Sequence, residues 1–177
     1  TGQYGAGLTD RITVDFQSLK IKYPENIRVN QQQTTNFSDN ENFVVLECVW
    51  RLLQKGYRPE HLELEKKWSL GHTSKGGRAD ICIYDETGGK VIAIIECKTA
   101  GREYYTARKK LLEDGGQLFS YWQQEGSSKW LCLYASDFDG KEISYETEVI
   151  TAFDDPQKIK QSEKDTTITL YKEANTV

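Results

Sequence analysis

Histidine is scarce in this sequence. Only His61 and His72 occur, and no Cys-x-x-Cys or His-x-x-x-His spacing accompanies them, which removes the usual zinc frameworks. No apolar run approaches the roughly 20 residues that span a bilayer, so no membrane partner is expected. No signal-peptide pattern opens the chain either. The four cysteines, Cys48, Cys82, Cys97 and Cys132, are scattered through apolar stretches, where a thiol packs as a small hydrophobe. They form no disulfide framework, and a reduced, cytoplasmic setting is expected. A basic excess is missing too: the formal net charge is −4, which argues against a domain that grips nucleic acid mainly through a broad positive surface. Should the chain act on DNA, something else is expected to hold the DNA. There is no G-x-x-x-x-G-K-[ST] loop, hence no ATP site in this chain. The chain opens on Thr1 without an initiator methionine, and with the loose stretch Thr1 to Gly7 this reads as a processed or excised chain.

What is present describes one folded unit. A length of 177 residues suits a single hydrophobic core, and 37% apolar with 28% charged residues is ordinary for a soluble protein. The expected division is an N-terminal extension over 1–37, a compact domain over 38–153, and an edge strand or linker over 154–177. Residues 11–16 alternate briefly, and the polar run Asn30 to Asn36 reads as a loop. Ser38-Asp-Asn-Glu41 has the form of a capping box before the apolar-rich run Phe43 to Leu53, with Lys55-Gly56 as the stop, so the first helix is placed there. From Leu62 to Leu70 apolar and polar residues alternate, which predicts a strand with one wet face. Ala79 to Tyr84 and Val91 to Cys97 flank a glycine turn and read as a hairpin. Both segments are apolar on both faces, as in the covered centre of a sheet. Tyr104 to Gln124 reads as helix with a break at Gly115-Gly116, Trp130 to Ala135 as a buried strand, and Ile143 to Ile150 as a further one.

The chemistry lies at one end of that hairpin. With the strands antiparallel about Gly88, Asp80 falls opposite Glu96, and alternation puts Glu96 and Lys98 on one face while the Cys97 side chain points into packing. Two carboxylates and an ammonium then converge. Phosphodiester hydrolysis needs stabilisation of the phosphoryl oxygens and an activated water, and hard oxygen ligands suit Mg²⁺. Asp80, Glu96 and the Cys97 carbonyl are the candidate ligands. Lys98 is the candidate for orienting the water or stabilising the transition state. The same charges also fit an ordinary solvated strand end, but the Glu-x-Lys closes the buried strand Val91 to Lys98, a specific placement.

Three motifs in order carry a resemblance: Gly77-Arg-Ala-Asp80-Ile, then Ile95-Glu-Cys-Lys98, then Gln117-Leu-Phe-Ser-Tyr121. Over roughly residues 38 to 136 the chain resembles the N-terminal nuclease domain of the restriction subunit of type I restriction-modification enzymes, within the PD-(D/E)xK superfamily. It departs where Ala79 replaces the proline before the first acid, which alters backbone preference and removes no ligand. The resemblance implies an α/β, restriction-endonuclease-like core with a mixed central β-sheet flanked by helices. It implies a Mg²⁺-dependent endonuclease acting on double-stranded DNA, with Mn²⁺ able to substitute, and with translocase, methylation and specificity parts elsewhere in a complex. A stand-alone repair or junction nuclease with the same site, and a catalytically silent DNA- or partner-binding domain, are the alternatives.

The resemblance also implies roles for residues beyond the triad. Gln117 and Tyr121 share one helix face at i, i+4 and are expected to contact DNA or order the site. Otherwise Gln117 is surface and Tyr121 packs on the sheet. A further acidic ligand from the first helix is expected to be Glu41, which falls on an apolar side and alternatively serves the capping box with Ser38. Glu47 is expected to be a surface partner of Arg51. Lys75, Arg78, Arg102, Arg108, Lys109 and Lys110 flank the site in sequence and are candidates for backbone phosphates, or else an ordinary solvated face.

Overall fold

A computed structural model of the chain describes residues 11–68 and 77–151. The 154–177 tail and Lys75 lie outside the described residues. Strands β1 (Thr13–Asp15) and β2 (Lys20–Lys22) pair antiparallel as a small sheet. The main sheet takes β3 (Arg28–Val29), β4 (Leu62–Lys67), β5 (Arg78–Tyr84), β6 (Val91–Thr99), β7 (Trp130–Phe138) and β8 (Ile143–Thr151) in that spatial order. It is mixed: β3–β4 and β6–β7 are parallel, and the other neighbours antiparallel.

Helices cover both faces. α1 (Glu41–Gln54) packs through Val45, Cys48 and Val49 onto Leu64, Ile81, Ile95 and Cys97. α2 (Arg102–Asp114) and α3 (Gly116–Glu125) form the crossover between the parallel strands β6 and β7, and bury Tyr104, Phe119 and Trp122 with Cys82, Ile94 and Leu133. The expected helix break falls at Gly115, whose φ of 79° ends α2 in the left-handed conformation that glycine adopts without a Cβ clash.

Three expectations need correction. The segment read as an extension is not separate where it is described, because Ile12, Ile21, Tyr23 and Ile27 belong to the same core cluster as α1, and β3 is a strand of the main sheet. The capping box does not form: Ser38 Oγ donates to Asn36, α1 starts at Glu41, and the Glu41 amide donates to Asp39 Oδ1 at 3.0 Å. The wet face of β4 is absent, with Glu63 and Glu65 only 8% and 2% exposed. The Glu63 carboxylate is held by Asn30 Nδ2 at 2.7 Å, the Tyr84 hydroxyl and Lys66, so alternation of charge records paired burial there. Among the described residues no helix is long and apolar enough to cross a membrane.

Candidate functional site

Register explains how the charges meet. The β5–β6 pairs run to Ile81–Ile95, one step short of Asp80 and Glu96. At that step the Asp80 side chain closes the ladder itself, accepting the Cys97 amide on Oδ2 at 2.7 Å. Strand alternation also breaks here. Ile81 packs on the α1 side and Ala79 on the α2–α3 side, although residues two apart in a regular strand share a face. Opposite, between the pairs Leu64–Ile81 and Lys66–Ala79, Glu65 has φ of 59°. The two strands turn over together at Glu65 and Asp80.

Lys98 gathers the acids. Its Nζ donates to Glu96 Oε1 at 2.8 Å, to the Cys97 carbonyl at 2.9 Å and to Glu41 Oε2 at 3.1 Å. α1 therefore brings Glu41 to Lys98, while Glu47 lies elsewhere. Glu47 is buried, contrary to the surface role expected, but it does pair with Arg51 at 2.5 Å and also accepts the Tyr134 hydroxyl. That arrangement ties α1 to β7.

The electrostatics follow from removing these groups from water. Asp80 and Glu96 are 7% and 4% exposed. Burial, then the charges of Glu96 and Glu41, hold the Asp80 carboxyl well above its ordinary range. Burial also raises Glu96 and Glu41, each partly offset by Lys98. For Lys98, burial works against the ammonium, but Glu96, Asp80 and Glu41 outweigh it and keep the group charged beyond the ordinary lysine range.

A metal fits this donor set on one observation above others. Glu96 Oε2 is buried and has no hydrogen-bond partner among the described residues, leaving a hard anionic oxygen with nothing to bind. Among the described residues no three His, Cys, Asp or Glu side chains stand as a ready ligand set. One proposed ligand is a backbone carbonyl, and Glu41 and Glu96 are drawn onto Lys98.

The site opens into a cavity of about 690 Å³ lined by Glu41, Glu96, Lys98, Arg102, Lys110 and Gln117. A larger hollow of about 1190 Å³ lies between α1 and strands β1 and β8, lined by Phe16, Phe43, Trp50 and Ile143. It contains none of Asp80, Glu96 and Lys98, so chemistry rather than size selects the smaller one.

Gln117 is exposed on the cavity and donates to the Tyr121 hydroxyl at 3.1 Å. Tyr121 is buried and stacks on Trp68 with centroids 5.4 Å apart. Burial, then the charges of Glu96 and Asp80, raise its phenol. A Cβ on Gly77 would lie 2.3 Å from the Tyr121 ring, so the glycine of the first motif leaves room for the tyrosine of the third.

The basic candidates divide. Arg102 and Lys110 are exposed on the cavity rim. Arg108 is engaged by Glu148, Lys109 by Glu113 at 3.7 Å, and Arg78 by Glu65 and Gln33. Sequence reasoning missed Glu65, which lies beside Asp80 in the sheet, because its charged neighbours read as a solvated face. No family model and no curated protein matches the chain.

Proposed function

We propose that this chain is a divalent-metal-dependent DNA endonuclease domain with a restriction-endonuclease-like core, working in a type I-like restriction-modification assembly. The observation that carries the reading is Lys98 bonded at once to Glu96, Glu41 and the Cys97 carbonyl, next to a buried Asp80. The mixed sheet supports it, with Asp80 and Glu96 on adjacent antiparallel strands at its centre and helices on both faces.

Asp80, Glu96, Glu41 and the Cys97 carbonyl would hold the cation. Bound Mg²⁺ or Mn²⁺ supplies a Lewis acid and a water of lowered pKa. Glu96, Asp80 and Glu41 favour the charged, hydrogen-bond-donating form of Lys98. Its part is to donate hydrogen bonds, to the attacking water or to a phosphoryl oxygen on which charge develops. Gln117 and Tyr121 order the cavity wall beside the carboxylates, and Arg102 and Lys110 suit backbone phosphates at the rim. The acidic net charge of −4 leaves most of the grip on DNA to other parts of the assembly.

Calorimetric titration with Mn²⁺ and cleavage of supercoiled plasmid in Mg²⁺ by the intact enzyme test this. The wild type is expected to bind Mn²⁺ and cut. Asp80→Ala and Glu96→Ala should lose both with unchanged circular dichroism, whereas Lys98→Ala should lose cutting but keep or strengthen metal binding. Full cleavage by Lys98→Ala, or no Mn²⁺ binding by the wild type, sinks the assignment.

A further inference from the structure

One face of α2 forms a wall of the cavity that holds Glu41, Glu96 and Lys98. Arg102, Thr106 and Lys110 recur there at every fourth residue, and all three are exposed. Side chains at that spacing stand above one another about 6 Å apart, so Arg102 and Lys110 are separated by about 12 Å along the helix. Neither of these two cations makes an ion pair among the described residues. Arg108 and Lys109, which do not line the cavity, are engaged by Glu148 and by Glu113 at 3.7 Å. A chain of net charge −4 thus leaves two cations without acids, and both open onto the carboxylates.

The end of that wall favours anions too. A Cβ on Gly116 would stand 3.6 Å from the Lys110 carbonyl carbon, so the first turn of α3 lies against the backbone that carries Lys110. No side chain caps α3, and its first backbone bond inside the helix runs from the Phe119 amide to the Gly115 carbonyl at 3.0 Å. Gln117 and Leu118, which precede that bond, line the same cavity. Amides in a helix's first turn attract negative groups. The Glu96 Oε2 without a hydrogen-bond partner lies in this cavity's wall as well, so an anion bound here meets a cation seat alongside it.

We propose that the Arg102, Thr106 and Lys110 face of α2, ending at the first turn of α3, is a track for a single strand of DNA. Arg102 and Lys110 hold phosphates on either side of the one brought to the carboxylates, and the Thr106 hydroxyl donates to a phosphate oxygen between them. The central phosphate rests on the metal-dependent reading above. At about 3.4 Å of rise per nucleotide, 12 Å covers about three to four nucleotides of one strand. A duplex needs positive surface for its second strand as well, and Arg78, Lys98, Arg108 and Lys109 are already taken up by acids.

Fluorescence anisotropy of a short labelled oligothymidylate on the full chain, with Ca²⁺ in place of Mg²⁺, tests the track. The slope of log affinity against log salt should shrink by about 0.7 in Arg102→Gln and in Lys110→Gln, and by about 1.4 in the double variant. Thr106→Val should weaken binding about 5-fold at unchanged slope, because it removes a hydrogen bond and no charge. Lys109→Gln should keep the wild-type slope. All of these variants should bind Mn²⁺ in calorimetry as the wild type does, since none alters a proposed ligand. Unchanged slopes in Arg102→Gln and Lys110→Gln, with Mn²⁺ still bound, overturn the track and leave the metal site standing. Tighter binding of a duplex of the same length overturns the single-strand assignment. Slopes that shrink as expected in a chain that binds no Mn²⁺ keep the track and overturn the metal-dependent reading instead.

Discussion

Asp80 stands out of water beside Glu96 and Glu41, and its folded carboxyl holds a proton more tightly than the unfolded chain does. A raised carboxyl stabilises the fold below the unfolded value of about 4, and that contribution is lost as pH rises through the folded pKa. Asp80→Asn carries no such loss and keeps an oxygen for the Cys97 amide. In chelator its melting temperature should therefore exceed the wild type's at neutral pH and converge with it near pH 4. Added Mg²⁺ should narrow the gap by stabilising the wild type preferentially. A wild type that melts higher than Asp80→Asn at neutral pH in chelator would contradict this. Asp80, Glu96 and Lys98 were legible in the sequence because a glycine turn sets the register and register sets the faces. Glu65 was not, because a charge alternating with leucines has the same pattern whether it faces solvent or a half-buried arginine.

Among the elements, the hairpin, both long helical segments and the final strands fall where their patterns place them. What escaped were short pieces, β2 and β3, whose two or three residues carry no period and which are strands only because the core recruits them. The break between α2 and α3 was readable from Gly115-Gly116, and it matters because α3 presents Gln117 and Tyr121 within two turns of it. An alanine at position 115 must take a left-handed conformation that costs about 1–2 kcal/mol. Gly115→Ala should lower the urea midpoint accordingly, and weaken the near-ultraviolet signal of Trp68 stacked on Tyr121.

Across the whole molecule, the net charge of −4 coexists with a rim of positive side chains, and the basic residues near the site do different work. Arg102→Glu and Lys110→Glu alter exposed groups, so stability should stay within about 0.5 kcal/mol. DNA affinity should weaken, with the salt slope reduced by about 1 for each. Arg108→Glu sets a carboxylate against the buried Glu148, and Arg78→Glu does so against Glu65. These two should lower the denaturation midpoint whether or not DNA is present. Equal behaviour of all four in both measurements would contradict the division. Nothing in sequence spacing separates Arg102 from Arg108, because the partner of Arg108 lies on β8, forty residues downstream.

Asp80, Glu96 and Lys98 all sit on one hairpin, closed by the short turn in which the Asp85 amide bonds to the Lys90 carbonyl at 2.9 Å. Local hairpins form in about 1–10 μs, whereas the parallel β6–β7 pairing must await the whole helical crossover. On the proposed reading these charges would come together early during folding, before helices shield them, and a divalent cation present during refolding would find part of its ligand set already assembled. Refolding in Ca²⁺ should accordingly be faster than in chelator at equal final stability. Gly88→Ala, at φ of 69° in the turn, should slow folding while leaving the unfolding rate nearly unchanged. Stopped-flow folding and unfolding rates read both effects, and a variant that only unfolds faster would place closure of the hairpin after the rate-limiting step.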